Sequence, residues 1–207
     1  MTQFIGKTGL IQKVLIHKLT RLRSEILAGK NVSVLERRVL FTGPPGVGKT
    51  ALGKELADFI AGDAMAVEKL NGSNVNVDKV RDWTANACYK PLFGEISVKF
   101  VDEIDAIKTD ALNDIRTYLD ELAPHRLFIA CTNKKVDDLQ EQLQSRFQVW
   151  RFEPVPREEI AAHLVAKFHL PTDVAADIAL QVKGNVRAAE IDAIAQLDVQ
   201  AALAAAA

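Results

Sequence analysis

Residues 43–50 read Gly-Pro-Pro-Gly-Val-Gly-Lys-Thr and follow the apolar run Arg38-Val39-Leu40-Phe41-Thr42. Glycines at this spacing let successive backbone N–H groups turn toward one point, which makes a concave anion site. Lys49 adds a compact positive charge for β- and γ-phosphates, and Thr50 offers a hydroxyl to Mg²⁺. The helix expected to begin at Thr50 aims its positive end at the same phosphates. Gly43, Pro44, Pro45, Gly46, Val47, Gly48, Lys49, Thr50 and Ala51 are therefore the expected cradle of a nucleoside triphosphate. A second constellation ends another apolar run: Val98-Lys99-Phe100-Val101 leads into Asp102-Glu103. Adjacent carboxylates at the end of a buried strand are costly unless something there needs them. Asp102 suits a water ligand of Mg²⁺, and Glu103 suits the polarisation of a water that attacks the γ-phosphate. Asn133, after the run Leu127 to Thr132, is positioned to hydrogen-bond the γ-phosphate or that water.

These groups need a sheet to hold them. Val39–Phe41, Ala64–Leu70, Ile96–Val101, Arg126–Cys131 and Gln148–Phe152 read as strands, bounded by turn signals such as Asn71-Gly72-Ser73. Between them lie helical patterns: Ile11 to Leu27, the stretch after the glycine-rich loop to about Ile60, Asp78 to about Tyr89, and the face Leu112, Ile115, Leu119 and Leu122. Strands alternating with helices imply a parallel sheet covered on both faces, whose ligands gather at the strands' C-terminal ends. After Phe152 the pattern changes. Pro154 and Pro156 form a stiff joint, followed by three helices from Arg157, Asp173 and Val186. The expected fold is α/β: a P-loop NTPase with a five-stranded parallel sheet in residues 1–153, a small all-α lid in 154–200, and an Ala-rich tail in 201–207.

In this order the motifs resemble the AAA+ ATPases, from Phe4 to about Leu197. Gly43 to Thr50 is similar to Walker A, and Phe100 to Asp105 (FVDEID) to Walker B. Asn133 resembles sensor 1. Gln144-Ser145-Arg146-Phe147 resembles the motif whose arginine is a finger, here Arg146, and Gly184-Asn185-Val186-Arg187 the lid motif whose arginine, here Arg187, is sensor 2. Phe4-Ile5-Gly6 resembles the segment lining the adenine pocket, which assigns Ile5 and Gly6 to ATP. The resemblance implies ATP with Mg²⁺, hydrolysis, and a homo- or hetero-oligomer, ring or helical, with ATP sites shared between neighbours. A guanidinium offsets charge on the transferring phosphoryl group, and a finger of this kind is worth about 10³–10⁵ in rate. Following a strand on the side away from its own nucleotide, Arg146 is expected to reach a neighbour's site.

Within that family, Leu70-Asn71-Gly72-Ser73-Asn74 with Val80-Arg81, Asp110 to Arg116, and Leu143 to Phe152 are similar to DNA polymerase clamp-loader subunits, phage ones included. There, the position of Asn71 restrains the catalytic carboxylate, here Glu103, until DNA binds. Two departures stand out: Phe147 replaces the usual cysteine, as in Holliday-junction branch-migration ATPases, and the collar domain of clamp loaders is not in these 207 residues. The branch implies DNA backbone contacts, with Lys79, Arg81 and Arg116 as candidates and Lys108 a weaker one, and a sliding clamp as possible client. Such contacts are salt-sensitive and blind to sequence. The rival expectation is a remodelling or adaptor ATPase acting on a protein partner, for which Tyr89-Lys90-Pro91-Leu92-Phe93 is the one stretch resembling a pore loop. A nucleotide-dependent structural ring with little turnover is a third.

Composition agrees with a soluble enzyme. Hydrophobic residues make up 48% and charged residues 26%, with a net charge of −1. The charge is uneven: residues 1–40 carry Lys7, Lys13, Lys18, Arg21, Arg23, Lys30, Arg37 and Arg38 against Glu25 and Glu36, a pattern more often a solvated helix face than a phosphate contact. Cys88 and Cys131 lack metal-ligand spacing and are expected as reduced, buried thiols. No apolar run approaches the roughly 18 residues that span a bilayer, and no signal-peptide pattern opens the chain. A cytoplasmic or nucleoid-associated protein with no membrane contact is expected.

Overall fold

A computed structural model describes residue 2 and residues 4–205. The chain divides into two compact units. The first comprises residues 11–43 and 49–151; the second comprises 2–10, 44–48 and 152 onward. A single cut after residue 153 therefore misses two short segments, because contacts rather than chain order define a compact body.

The first unit is built on strands β1 (Arg38–Thr42), β2 (Val67–Asn71), β3 (Ser97–Asp102), β4 (Arg126–Thr132) and β5 (Gln148–Arg151). They form one parallel sheet in the order β2-β3-β4-β1-β5. Its helices are α1 (Gly6–Leu27, from Ile11), α2 (Lys49–Ala61), α3 (Val77–Ala85), α4 (Thr109–Asp120) and the short α5 (Glu141–Gln144). β1 and β4 are buried along their full length, as a sheet covered on both faces demands. Leu40, Val101, Phe128 and Ala130 turn to one face, where they pack with Val80 and Trp83 of α3, Leu112, Ile115 and Leu119 of α4, and Phe147. Phe100 and Cys131 turn to the other and lie beside Gly53 of α2.

Elements end where the chain finds substitute partners. The helix expected to run from Asp78 to Tyr89 stops at Ala85, well short of Pro91. Arg126, at the start of β4, donates to the carbonyls of Trp83 and Asn86, so the final turn's orphan acceptors are satisfied there. Between α4 and β4, Arg37 donates to the carbonyls of Leu122, Ala123 and Arg126, while Arg38 donates to the Leu119 carbonyl in the last turn of α4. Ala64–Ala66, expected in the second strand, is a 3₁₀ turn because Asp63 caps the N–H of Met65. Cys131 is buried, which pushes its thiol pKa up; Cys88, contrary to expectation, is exposed.

The second unit holds α6 (Arg157–Phe168), α7 (Thr172–Gln181) and α8 (Val186–Ala205). Val155, Ile160, Leu164, Leu170, Ala175, Ile178, Ala189 and Ala193 form its core, with Ile5 packed against it. Of the Ala-rich tail, residues 201–205 continue α8, while 206 and 207 lie outside the described residues. Among the described residues no helix is long and apolar enough to cross a membrane.

Candidate active site

Parallel pairing brings the C-terminal ends of four strands to one edge of the sheet. Thr42 is level with Thr132, and Asn71 with Asp102. Three side-chain pairs form at this edge. Lys49 Nζ donates to Asn133 Oδ1 at 2.9 Å and to the Gly43 carbonyl at 2.8 Å. Thr50 Oγ1 donates to Asp102 Oδ1 at 3.2 Å. Asn71 Nδ2 donates to Glu103 Oε2 at 2.8 Å.

Each residue is placed by local chemistry. Asn133 sits in a turn in which Thr42 Oγ1 donates to the Lys134 carbonyl and the Lys134 N–H donates to Thr132 Oγ1. Asp105 braces the same turn, accepting from Thr132 Oγ1 at 2.7 Å and lying 3.4 Å from Lys134 Nζ. Glu103 adopts a left-handed conformation, φ +51°, which reverses the chain after β3. A non-glycine residue there carries strain of about 1–3 kcal/mol and persists only where its surroundings impose it. Gly72 is part of that surrounding: a Cβ on Gly72 would stand 2.2 Å from the Glu103 carbonyl oxygen. In the sequence Gly72 reads as part of a turn that closes a strand and of the segment 70–74 similar to clamp-loader subunits. Nothing in a linear pattern reports that another backbone approaches this closely.

The loop tip, residues 44–48, belongs to the second unit. Gly46 has φ +76°, and a Cβ there would meet Asn185 Oδ1 at 1.7 Å. The Gly46 carbonyl accepts from the N–H groups of Val186 at 3.1 Å and Arg187 at 3.3 Å, the first residues of α8. Asn185 caps that helix through the Ala188 N–H. On the other side Thr8 Oγ1 donates to the Val47 carbonyl at 2.9 Å, and the Phe4 ring lies beside Gly48. The Gly6 N–H donates to Glu159 Oε2 at 2.7 Å. Ile5 and Gly6 are thus anchored to the helical core, while the Arg187 side chain is exposed.

The donor set suits the chemistry expected of it. Thr50 and Asp102 present only hard oxygen donors, as Mg²⁺ requires, and Lys49 and Thr50 open α2. Residues 39–155 match the family model described as "ATPase family associated with various cellular activities (AAA)". The chain belongs to the AAA ATPase family.

Two relatives of this AAA chain are replication factor C small subunits. That of Archaeoglobus fulgidus is 33% identical over 135 residues, 61% of this chain and 41% of the relative. That of Methanosarcina barkeri is 36% identical over 152 residues, 70% of this chain and 44% of the relative. The chain thus spans less than half the length of these relatives. In fold it is similar to a RuvB variant of Thermotoga maritima (TM-score 0.64, 20% identity, 90% of this chain and 60% of that one). It is also similar to a DNA polymerase III gamma subunit-related protein of the same organism (TM-score 0.58, 16% identity, 84% and 58%).

The remaining candidates of the AAA chain lie apart from these pairs. Arg146 is bonded to Asp120, which also holds Arg38 at the start of β1, the end opposite the glycine-rich loop. Among the candidate DNA contacts, Lys79 is committed elsewhere: its Nζ lies 2.6 Å from Glu68, which also accepts from Lys99 and Trp83. Arg81 on α3 is 71% exposed and 3.5 Å from Asp114 of α4, and Arg116 and Lys108 are exposed. The basic N-terminal segment is largely paired, through Arg21 with Glu25 and Glu36, Arg23 with Glu95, and Lys7 with Glu153. Arg37 and Arg38 are buried, Arg38 on the last turn of α4 and Arg37 on the segment that follows it, a role their charge alone did not suggest.

Proposed function

We propose that the chain is the ATP-hydrolysing part of a clamp-loader-like motor acting in DNA replication or repair, working as an oligomer with shared ATP sites. The observation that carries this reading is the Asn71–Glu103 hydrogen bond, which holds the proposed catalytic carboxylate through a residue next to the α3 segment. The kinship with replication factor C small subunits supports the same reading.

In this mechanism residues 43–51 wrap the triphosphate, and Lys49 sets its charge against the β- and γ-phosphates. Thr50 and Asp102 would hold Mg²⁺, which would supply charge neutralisation on the phosphates. Glu103 takes a proton from the attacking water, and Asn133 orients that water or the γ-phosphate. Arg146 completes a neighbour's site, and Arg187 reports the nucleotide's state through α8. While Asn71 donates to Glu103, one lone pair of the base is occupied, and turnover is slow. DNA phosphates bound along α3 and α4, with Arg81 and Arg116 the exposed cations, release that bond. The partners are DNA, other ATPase subunits and a sliding clamp.

The test is ATPase turnover with primed duplex DNA, with single strands and with no DNA, for the wild type and Glu103→Gln. Primed DNA is expected to stimulate the wild type most, while Glu103→Gln binds ATP with near-normal affinity and turns over at least about a hundredfold more slowly. Stimulation by protein partners alone would move the chain to the remodelling class.

A further inference from the structure

Asp120 is the last residue of α4 and meets two arginines. Its carboxylate accepts from Arg146 Nε at 3.0 and 3.1 Å and from Arg146 Nη2 at 2.9 Å, a side-on bidentate pair. Arg38 Nη1 donates to its Oδ1 at 3.1 Å and to the Leu119 carbonyl at 3.2 Å. Arg146 Nη1 donates to the Gln142 carbonyl at 2.8 Å. The guanidinium has five N–H groups in a fixed fork. Nε–H and one Nη2–H are spent on Asp120 and one Nη1–H on Gln142, which leaves one hydrogen on each Nη.

We propose that Asp120 is a positioning residue for hydrolysis in a neighbouring subunit: it clamps the side edge of the Arg146 guanidinium so that the end edge faces an incoming phosphate. This rests on the reading of Arg146 as a finger. Stability does not account for the arrangement. The Asp120 side chain is 46% exposed, against 20% for Arg146 and 10% for Arg38, and its pair with Arg146 stands at the solvent edge, where an ion pair stabilises little. What the pair does supply is orientation. A free arginine side chain samples many rotamers, and fixing it beforehand removes that entropic cost from the encounter with phosphate. The charge balance points the same way, since two guanidinium groups against one carboxylate leave a net positive charge. Burial pushes the Asp120 carboxyl up, but the hydrogen bonds and charges of Arg146 and Arg38 outweigh it and hold it below its usual value. Arg38 steadies the carboxylate from β1, so Asp120 is itself fixed on both sides.

The experiment compares Asp120→Asn, Asp120→Glu, Arg146→Ala and the Asp120→Asn/Arg146→Ala pair in the full chain, measuring kcat, KM for ATP and Tm. Asp120→Asn is expected to lower kcat about tenfold to a hundredfold, the scale of a small misplacement of a catalytic group, with KM within about twofold and Tm nearly unchanged. Asp120→Glu is expected to recover part of kcat, and the pair to be no slower than Arg146→Ala alone. In mixtures with Lys49→Ala chains, Asp120→Asn is expected to act when placed in the chain that donates the finger. Wild-type kcat in Asp120→Asn beside an inactive Arg146→Ala overturns the positioning role and leaves the finger intact. An active Arg146→Ala overturns the finger, and the inference with it. A fall in kcat that tracks a fall in Tm, or that Asp120→Glu does not relieve, reduces Asp120 to a structural role and also overturns the inference.

Discussion

At the scale of single residues the proposed active site turns on Glu103. Its left-handed backbone turns the carboxylate off the end of β3, and the Asn71 amide, one strand away, then reaches it. Asn71 is doubly committed: its Oδ1 accepts from the N–H and hydroxyl of Ser73, so its amide nitrogen is aimed rather than free to rotate. A hydrogen bond to a charged acceptor contributes about 1.5–3 kcal/mol, which is about tenfold or more in the population of the unbonded carboxylate. Asn71→Ala is therefore expected to raise ATP turnover without DNA by about tenfold or more while shrinking the stimulation that DNA produces. Turnover assays with and without primed DNA read both quantities, and an unchanged ratio between them would falsify the restraint. The Asp-Glu pair was legible because two carboxylates closing an apolar run are conspicuous. The opposing backbones of Gly72 and Glu103 were not, since their closeness arises from the pairing of β2 with β3.

At the scale of elements, strands and helices were legible because burial imposes a period on the chain. Arg157–Phe168 is the helix that its pattern and preceding prolines imply. Ends were harder to read, because they depend on distant partners such as Arg126, which terminates α3 from β4. The packing of α1 carries a measurable cost. Lys18 on α1 donates to Gln148 of β5, and burial, against the attraction of Glu36, pulls its pKa down to about 8 from 10.5. The folded state thus holds a proton less willingly than the unfolded chain does. Below about pH 8 both states are protonated and the full penalty applies; as pH rises from 8 toward 10.5 it disappears. Lys18→Met is expected to raise Tm at pH 7 by a few degrees and to lose that advantage toward pH 10.5, a difference that thermal melts across this range would show. A constant difference at every pH would show that lost charge is not the cause.

At the scale of the whole molecule, charge distribution matters more than the net charge of −1. Most basic residues of the first forty are paired or buried, whereas Arg81 and Arg116 stand exposed on the adjacent helices α3 and α4. Phosphate contacts release counterions, so each arginine that makes one adds close to one to the salt slope of binding. Arg116→Ala is expected to weaken DNA binding about equally across sequences and to lower the slope of log K against log salt by about 1, read by fluorescence anisotropy in a salt titration. Lys79→Ala, whose ammonium already serves Glu68, is expected to leave that slope unchanged.

The sequence by itself determined the glycine-rich loop, the paired carboxylates, the order of strands and helices and the family, because each is written in contiguous residues or in a period that burial imposes. Only the tertiary structure decided which of these groups meet. The pairing of Asn71 with Glu103, the grip of Val186 and Arg187 on Gly46, and the seat of Arg146 on Asp120 join residues 26 to 141 positions apart. Hydrogen bonds act over about 3 Å, so such pairs exist only once parallel strands and packed helices have brought their ends together.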